Sequence, residues 1–367
     1  MTRKIMEVVR KSLLSMRQPV IATILGLLVG AIVIYIANEN PISVYKEMFD
    51  KSFFRSYYFM QTLSRSTPII ICAIATAAAW RAGYINIGVE GQMVVGGFVA
   101  TVCAIFIPGP PMVVMLLSIL IGMLAGAFYA TIAAVLYHKY NVSIVISTLM
   151  MNYIAHFITS YFVAYPLRDR AGDGIALQTV AIDPAMRFFK FSERTTFNLG
   201  FLLAVFIVIG FYFIAKNTVF GYESKMTGLN PFFAQYGGVR KTSVMLRTMA
   251  LSGAIAASAG AFEVFGVKYR FIEGMLRTTS FAWTGLMAAL ISSLNPIGMF
   301  FSSIFLAGLQ VGGQSIQRTS NVPLEMAIVI QSCITLFVSI KLTMDFVKWR
   351  KHKKSLQRQG HEQGGDS

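Results

Sequence analysis

Apolar runs with few or no charges recur from one end of this 367-residue sequence to the other, as at 19–37, 112–137, 142–165, 197–215 and 323–343. A helix needs about 20 residues to cross the roughly 30 Å hydrocarbon core of a bilayer, and only segments that satisfy their own backbone hydrogen bonds persist there. The repetition therefore predicts an all-α integral membrane protein. With 55% hydrophobic and 13% charged residues, a pair of soluble domains of this length is excluded.

The formal charge of +16 raises the question of nucleic acid, which the location of the charges answers. They sit mainly in the two tails and a few connecting loops, without the aromatic-interleaved basic surface of a nucleic-acid groove. Residues 1–18 carry Arg3, Lys4, Arg10, Lys11 and Arg17 against Glu7, and residues 346–367 carry Lys348, Arg350, Lys351, Lys353, Lys354 and Arg358. Lys and Arg accumulate on the cytoplasmic side of membrane proteins, so both ends are expected to be cytoplasmic. The membrane domain then covers 19–345. Its first run is too long for a signal-peptide core and precedes Asn38-Glu39-Asn40-Pro41 rather than a small-residue cleavage site, so it is expected to stay attached. Cys72, Cys103 and Cys333 lie in or beside apolar runs without paired spacing and read as small core residues; no metal site or cofactor is expected.

Both ends on one side require an even number of spans. About ten are expected, at 19–37, 57–79, 91–107, 112–137, 142–165, 197–215, 246–266, 281–294, 296–317 and 323–345. The eighth is short and ends at Asn295-Pro296, the pattern of a broken helix that protein must shield from lipid. Alternation places 216–245 inside, where Lys216, Lys225, Arg240 and Lys241 face Glu223, with 218–247 as the cytoplasmic coupling segment, and the loop 166–196 outside, where basic and acidic residues nearly balance. Residues 267–280 fit less well, because Lys268, Arg270 and Arg277 outnumber Glu273 on an expected outer loop.

Three stretches can carry function. Between Arg81 and Gln92, Gly83, Gly88 and Gly91 allow turns and close approach, while Asn86, Glu90 and Gln92 are costly to bury in a membrane. Either this is a broken segment beside a translocation path, or it is a cytoplasmic loop with Glu90 solvated or paired to Arg81. Within 218–247, Asn230 is suited to cap a short helix with Pro231 at its first position and Gly237-Gly238 at its end. Phe232, Phe233 and Tyr236 would share one face, fit to dock on a cytoplasmic partner or to lie on the protein's own helix ends. On the ninth span, Gln310, Gln314 and Gln317 repeat along one helical face and either line a polar path or tie helices together. Asn152 with His156, Glu263, Gln331 and Asn295 extend the candidate lining, and Phe281 and Trp283 read as stacking groups or as interfacial anchors.

The sequence holds no phosphate-binding Gly-x-x-x-x-Gly-Lys loop, no Gly-x-Ser-x-Gly elbow and no His-Glu-x-x-His motif, so enzyme chemistry is not expected. Of its carboxylates, Glu263 lies well within an expected span, which leaves little for a proton-coupled carrier to use.

At these residues a family resemblance enters. Arg81-Ala-Gly-Tyr-Ile-Asn-Ile-Gly-Val-Glu-Gly-Gln92 resembles the R-x-G-x-x-N-I-G-x-E-G-Q stretch of permeases of binding-protein-dependent ABC importers, in the branch handling simple sugars and nucleosides. Gly221 to Val239, with Gly228, Asn230, Pro231 and Gly237, is similar to that family's coupling segment, and Trp283 to Gly298 is similar to its late Gly- and Pro-containing stretch. Lys225-Met226-Thr227, Phe233 and Ser292-Ser293-Leu294 depart from the family wording. The resemblance runs from about 60 to 340 and implies a type II importer permease, with ATP hydrolysis by a separate cytoplasmic subunit. It implies two further partners: a second permease subunit, commonly a different chain, and an extracytoplasmic solute-binding lipoprotein. It implies nucleosides as cargo, with simple sugars as the alternative; a self-sufficient carrier or channel is the alternative from another class.

Overall fold

A computed structural model describes residues 24–32, 34–36, 39–170 and 176–316, with isolated positions at 329, 332 and 333. The basic segment 1–18, the tail 346–367, Gln317, Gln331 and nearly all of the expected tenth span lie outside the described residues. The chain divides into a unit of residues 49–312 and a second unit of 1–48 with 313–367.

In the second unit, residues 24–32 and 34–36 are helical and apolar. A short helix, α1 (Pro41–Phe49), follows and was not expected from the sequence. Asn40 starts it by accepting the Ile42 N–H at 3.0 Å, and the Tyr45 hydroxyl donates to the Leu27 carbonyl at 2.7 Å.

The 49–312 unit is helical throughout, with isolated bridges but no strand among its described residues. After a π-helical turn at Asp50–Phe54 come α2 (Ser56–Trp80), α3 (Val89–Phe106), α4 (Pro111–Tyr140), α5 (Ile144–Ala164) and α6 (Gly200–Asn217). The short α7 (Val219–Leu229) and α8 (Pro231–Tyr236) lead into α9 (Lys241–Glu263), which ends in a second π-helical turn at Val264–Lys268. The short α10 (Met275–Thr278) and α11 (Phe281–Ile291) precede α12 (Pro296–Ile316).

Among the described residues, seven helices are long and apolar enough to cross a membrane. They correspond to the second to seventh and the ninth expected spans, with ends moved by a few residues. The expected eighth span is the 11-residue α11, too short to cross unaided. It ends where Ser293 and Leu294 take φ of 49° and 62°, left-handed backbone that a side chain disfavours. Asn295 then restarts the chain, its Oδ1 accepting the Ile297 and Gly298 N–H groups at 3.1 and 3.3 Å ahead of Pro296.

The core lies where α2, α3, α4 and α9 cross. From Ile69 to Ala79, α2 is buried on all sides, as expected of a helix surrounded by protein. The other crossings depend on small residues that let backbones approach. A Cβ added to Gly260 of α9 would lie 2.0 Å from the Met93 carbonyl oxygen of α3, so no larger residue fits without separating the helices.

A buried polar cluster at a helix break

Between α2 and α3 the chain turns at Arg81–Gly83 and runs without helical bonding to Gly88. One end of this stretch, Tyr84, donates from its hydroxyl to the Lys241 carbonyl at 3.3 Å, at the first residue of α9. Burial, then the neighbouring Tyr137, pushes the Tyr84 hydroxyl above its ordinary value, which keeps it a donor. Asn86 instead reaches Ser252, about halfway along the 23-residue α9. The stretch therefore climbs from the helix ends into the middle of the bundle, and α3 starts there. The reading of a solvated loop is corrected: this is the broken segment.

Non-helical backbone at that depth must find its hydrogen bonds in protein. The Ile87 N–H donates to Thr148 Oγ1 at 3.2 Å, and its carbonyl accepts from Asn152 Nδ2 at 3.1 Å. The Gly91 N–H donates to Asn152 Oδ1 at 2.8 Å, and Trp80 Nε1 donates to the Asn86 carbonyl at 3.1 Å. The Asn86 side chain accepts from the Gly88 N–H at 2.8 Å and from Gln92 Nε2 at 3.1 Å, while its Nδ2 donates to Gln92 Oε1 and Ser252 Oγ. Asn86 is fully occupied in holding the break, and both it and Gln92 are buried.

Glu90 occupies the first turn of α3. It is not paired with Arg81, whose guanidinium lies 5.9 Å from the Phe211 ring centroid. Its Oε1 accepts from His156 Nε2 of α5 at 2.8 Å and its Oε2 from Trp283 Nε1 of α11 at 2.8 Å. Trp283 keeps 40% of its surface exposed while its indole N–H is committed to Glu90.

A second polar group ties α2, α11 and α12. Arg65 Nε donates to Gln310 Oε1 at 2.8 Å, and Gln310 Nε2 donates to Thr284 Oγ1 at 2.9 Å. The Arg65 guanidinium lies 5.5 Å from the ring centroid of the buried Phe281. Sequence reasoning passed over Arg65, although one arginine in an otherwise apolar run is the signal of an intramembrane functional group. Glu263 is buried, with the charges of Lys268 and Arg65 acting on it. Gln314, a turn beyond Gln310 on α12, is half-buried.

At the Lys241 end of α9, the expected short helix is present. Asn230 Oδ1 accepts the Phe232 and Phe233 N–H groups at 3.1 Å each, and Gly238, at φ +84°, follows its end. Ala234 is the buried residue of this helix, whereas Phe232, Phe233 and Tyr236 are exposed, Tyr236 by 92%. Lys241 Nζ lies 4.5 Å over the Phe232 ring. The preceding α7 is seated directly on the broken segment: a Cβ on Gly228 would lie 2.1 Å from the Arg81 carbonyl oxygen. Beside this contact is a cavity of about 680 Å³ whose wall includes Tyr84, Tyr137, Thr227, Gly228 and Lys241.

The family profile described as "Branched-chain amino acid transport system / permease component" matches residues 58–339. The guanosine ABC transporter permease protein NupP of Bacillus subtilis is 30% identical over 337 residues, 92% of this chain and 96% of that one. The nucleoside ABC transporter permease protein NupB of Lactococcus lactis is 28% identical over 89% of this chain and 91% of its own. The glucose ABC transporter permease protein TsgB13 of Haloferax volcanii is 27% identical over 95% of this chain and 93% of its own. No solved structure matches significantly. With its profile match spanning most of the sequence and its helices of membrane-crossing length, the chain belongs to this family of multi-pass ABC transporter permeases.

Proposed function

We propose that this chain is the membrane-spanning permease subunit of an ATP-driven, binding-protein-dependent importer for nucleosides. In this reading it has about ten spans in a type II arrangement, with both ends on the cytoplasmic side of the bacterial inner membrane. It works beside a second permease subunit and supplies no energy itself. A cytoplasmic ATPase docks on the 218–247 segment, and an extracytoplasmic lipoprotein delivers the solute.

The observation that carries the reading is the mechanical link at Gly228. The exposed aromatic face of α8 continues through α7 into backbone contact with Arg81, the residue that opens the broken segment. A partner that shifts α8 therefore pushes on the Asn86–Gln92 cluster, and through Glu90 on α5 and α11. Asn86, Glu90, Gln92, Asn152, Trp283, Asn295, Gln310 and Gln314 are proposed to line or shape the path. The nucleoside assignment is supported by the guanosine and nucleoside relatives. A second reading, import of simple sugars, is favoured by the glucose permease relative. Guanosine and glucose share a polyhydroxylated ring, which either cargo brings to the permease.

Proteoliposomes holding the chain with its partner subunits are expected to accumulate labelled nucleoside only with ATP and binding protein, and free ribose or glucose should not compete. Competition by sugar alone moves the assignment to sugars. Flux through the purified chain alone, without ATPase, defeats the importer reading.

A further inference from the structure

The loop segments 166–196 and 267–280 pair with each other at the Glu263 end of α9. The Thr179 N–H donates to the Phe271 carbonyl at 2.9 Å, the Glu273 N–H to the Leu177 carbonyl at 2.9 Å, and the Ile182 N–H to the Tyr269 carbonyl at 2.8 Å. This pairing fixes Glu273 opposite the last turns of α5, where the Ser160 hydroxyl donates to Glu273 Oε1 at 2.5 Å. A cavity of about 120 Å³ opens between them, walled by His156, Ser160, Phe271 and Glu273, with Arg277 exposed at its rim.

The wall is rich in acceptors. The His156 imidazole, held by Glu90 through Nε2, forms part of the same wall. The Glu273 carboxylate has capacity beyond its bond to Ser160, and the Ser160 oxygen can accept as well as donate. A solute that matches these acceptors must be rich in donors, and the Arg277 guanidinium at the rim opposes a cation there, which leaves adjacent hydroxyls on a sugar ring. The volume agrees. At about 30 Å³ per water it is about four waters' worth, well under the roughly 300–1,000 Å³ of sites that enclose drug-sized ligands. Two adjacent hydroxyls with their carbons fit; the rest of the ring and any attached base stay outside.

The geometry points to a docking site for the vicinal-diol face of a sugar ring between α5 and the 271–277 segment, with Glu273 and Ser160 as its acceptors and His156 in its wall. It rests on the proposed importer reading, since such a site names the part of the cargo that this chain itself recognises.

The test uses the full-length chain with Arg277→Cys in lipid nanodiscs, with maleimide labelling at position 277 read by mass spectrometry of that peptide. Methyl β-ribofuranoside should slow the labelling in a saturable way, and its 2,3-dideoxy analogue should not. Adding Glu273→Gln should weaken the protection about tenfold, the loss of one charge-assisted hydrogen bond. Ser160→Ala serves as the second variant and should weaken it less. No protection, or equal protection by both glycosides, overturns the site, and the two glycosides decide this without either added variant. Protection that survives Glu273→Gln unchanged also overturns it. Failure here with intact ATP-dependent uptake removes the site and leaves the importer standing, whereas protection without any uptake does the reverse.

Discussion

Asn86 shows how much one residue must do when a helix breaks inside a bundle. Its amide makes four hydrogen bonds, two accepted and two donated, and leaves the Gly88 N–H, Gln92 and Ser252 partnered at full burial. Asn86→Ala strands the Gly88 N–H and the Gln92 amide, and a buried donor without a partner costs about 1–3 kcal/mol. We expect a destabilisation of about 2 kcal/mol, read as a lower unfolding temperature of the detergent-solubilised chain and as reduced yield. Asn86→Asp, which keeps the acceptor for the Gly88 N–H, should be milder only if that acceptor is the dominant contribution; equal loss in both assigns the stability to the donated bonds. The Asn, Glu and Gln of this stretch stood out in the sequence because polar residues between apolar runs are conspicuous. Asn152, His156 and Trp283 stood out as well, but their pairing with this stretch did not. Thr148, Asn152, His156, Ser252 and Trp283 come from three other helices, and spacing along the chain carries no record of which remote helix supplies a hydrogen bond.

The same contrast holds for elements. The boundaries of α8 were legible because a cap, a proline and a glycine stop are local chemistry. The break before α12 was legible from Asn295-Pro296, yet α11 is shorter than expected, since the turn begins earlier, at Ser293 and Leu294, residues that do not announce left-handed backbone. What α8 rests on was hidden: Gly228 reads as one more glycine until its contact with the Arg81 carbonyl is seen. A six-residue helix is far below the roughly 12–15 residues at which helices hold by themselves, so α8 depends on its cap and on the burial of its own Ala234. Asn230→Ala should cost about 1 kcal/mol. In the assembled transporter, Asn230→Ala should lower substrate-stimulated ATP hydrolysis partially, and Phe232→Asp should abolish it, because it places a charge on the exposed apolar face. Both variants should insert and purify as the parent does, since Phe232 supports no interior contact beyond the Lys241 stack. Unchanged stimulated hydrolysis in Phe232→Asp would remove α8 from the docking surface.

Across the molecule, α9 is the ruler. Its 23 residues span about 35 Å at 1.5 Å per residue, enough to cross the hydrocarbon core, with α7 and α8 at its first residue and the paired loops at its last. Charge counting alone made residues 267–280 an awkward outer loop. The pairing answers part of that charge: Arg270 lies 3.8 Å from Asp169, and Arg187 and Lys190 stack on the Tyr269 ring at 4.5 and 5.2 Å. Counting Lys and Arg loop by loop does not see these contacts between the two segments. Two exposed positions test the resulting sidedness in sealed, right-side-out vesicles. A cysteine at Phe189, which is 69% exposed in the paired loops, should react with a membrane-impermeant maleimide in intact vesicles. One at Tyr236 on α8 should react only after permeabilisation. Labelling of both from one side would mean that α9 does not cross the membrane, and the link from α8 through Gly228 to the broken segment would then have no opposite side to act on.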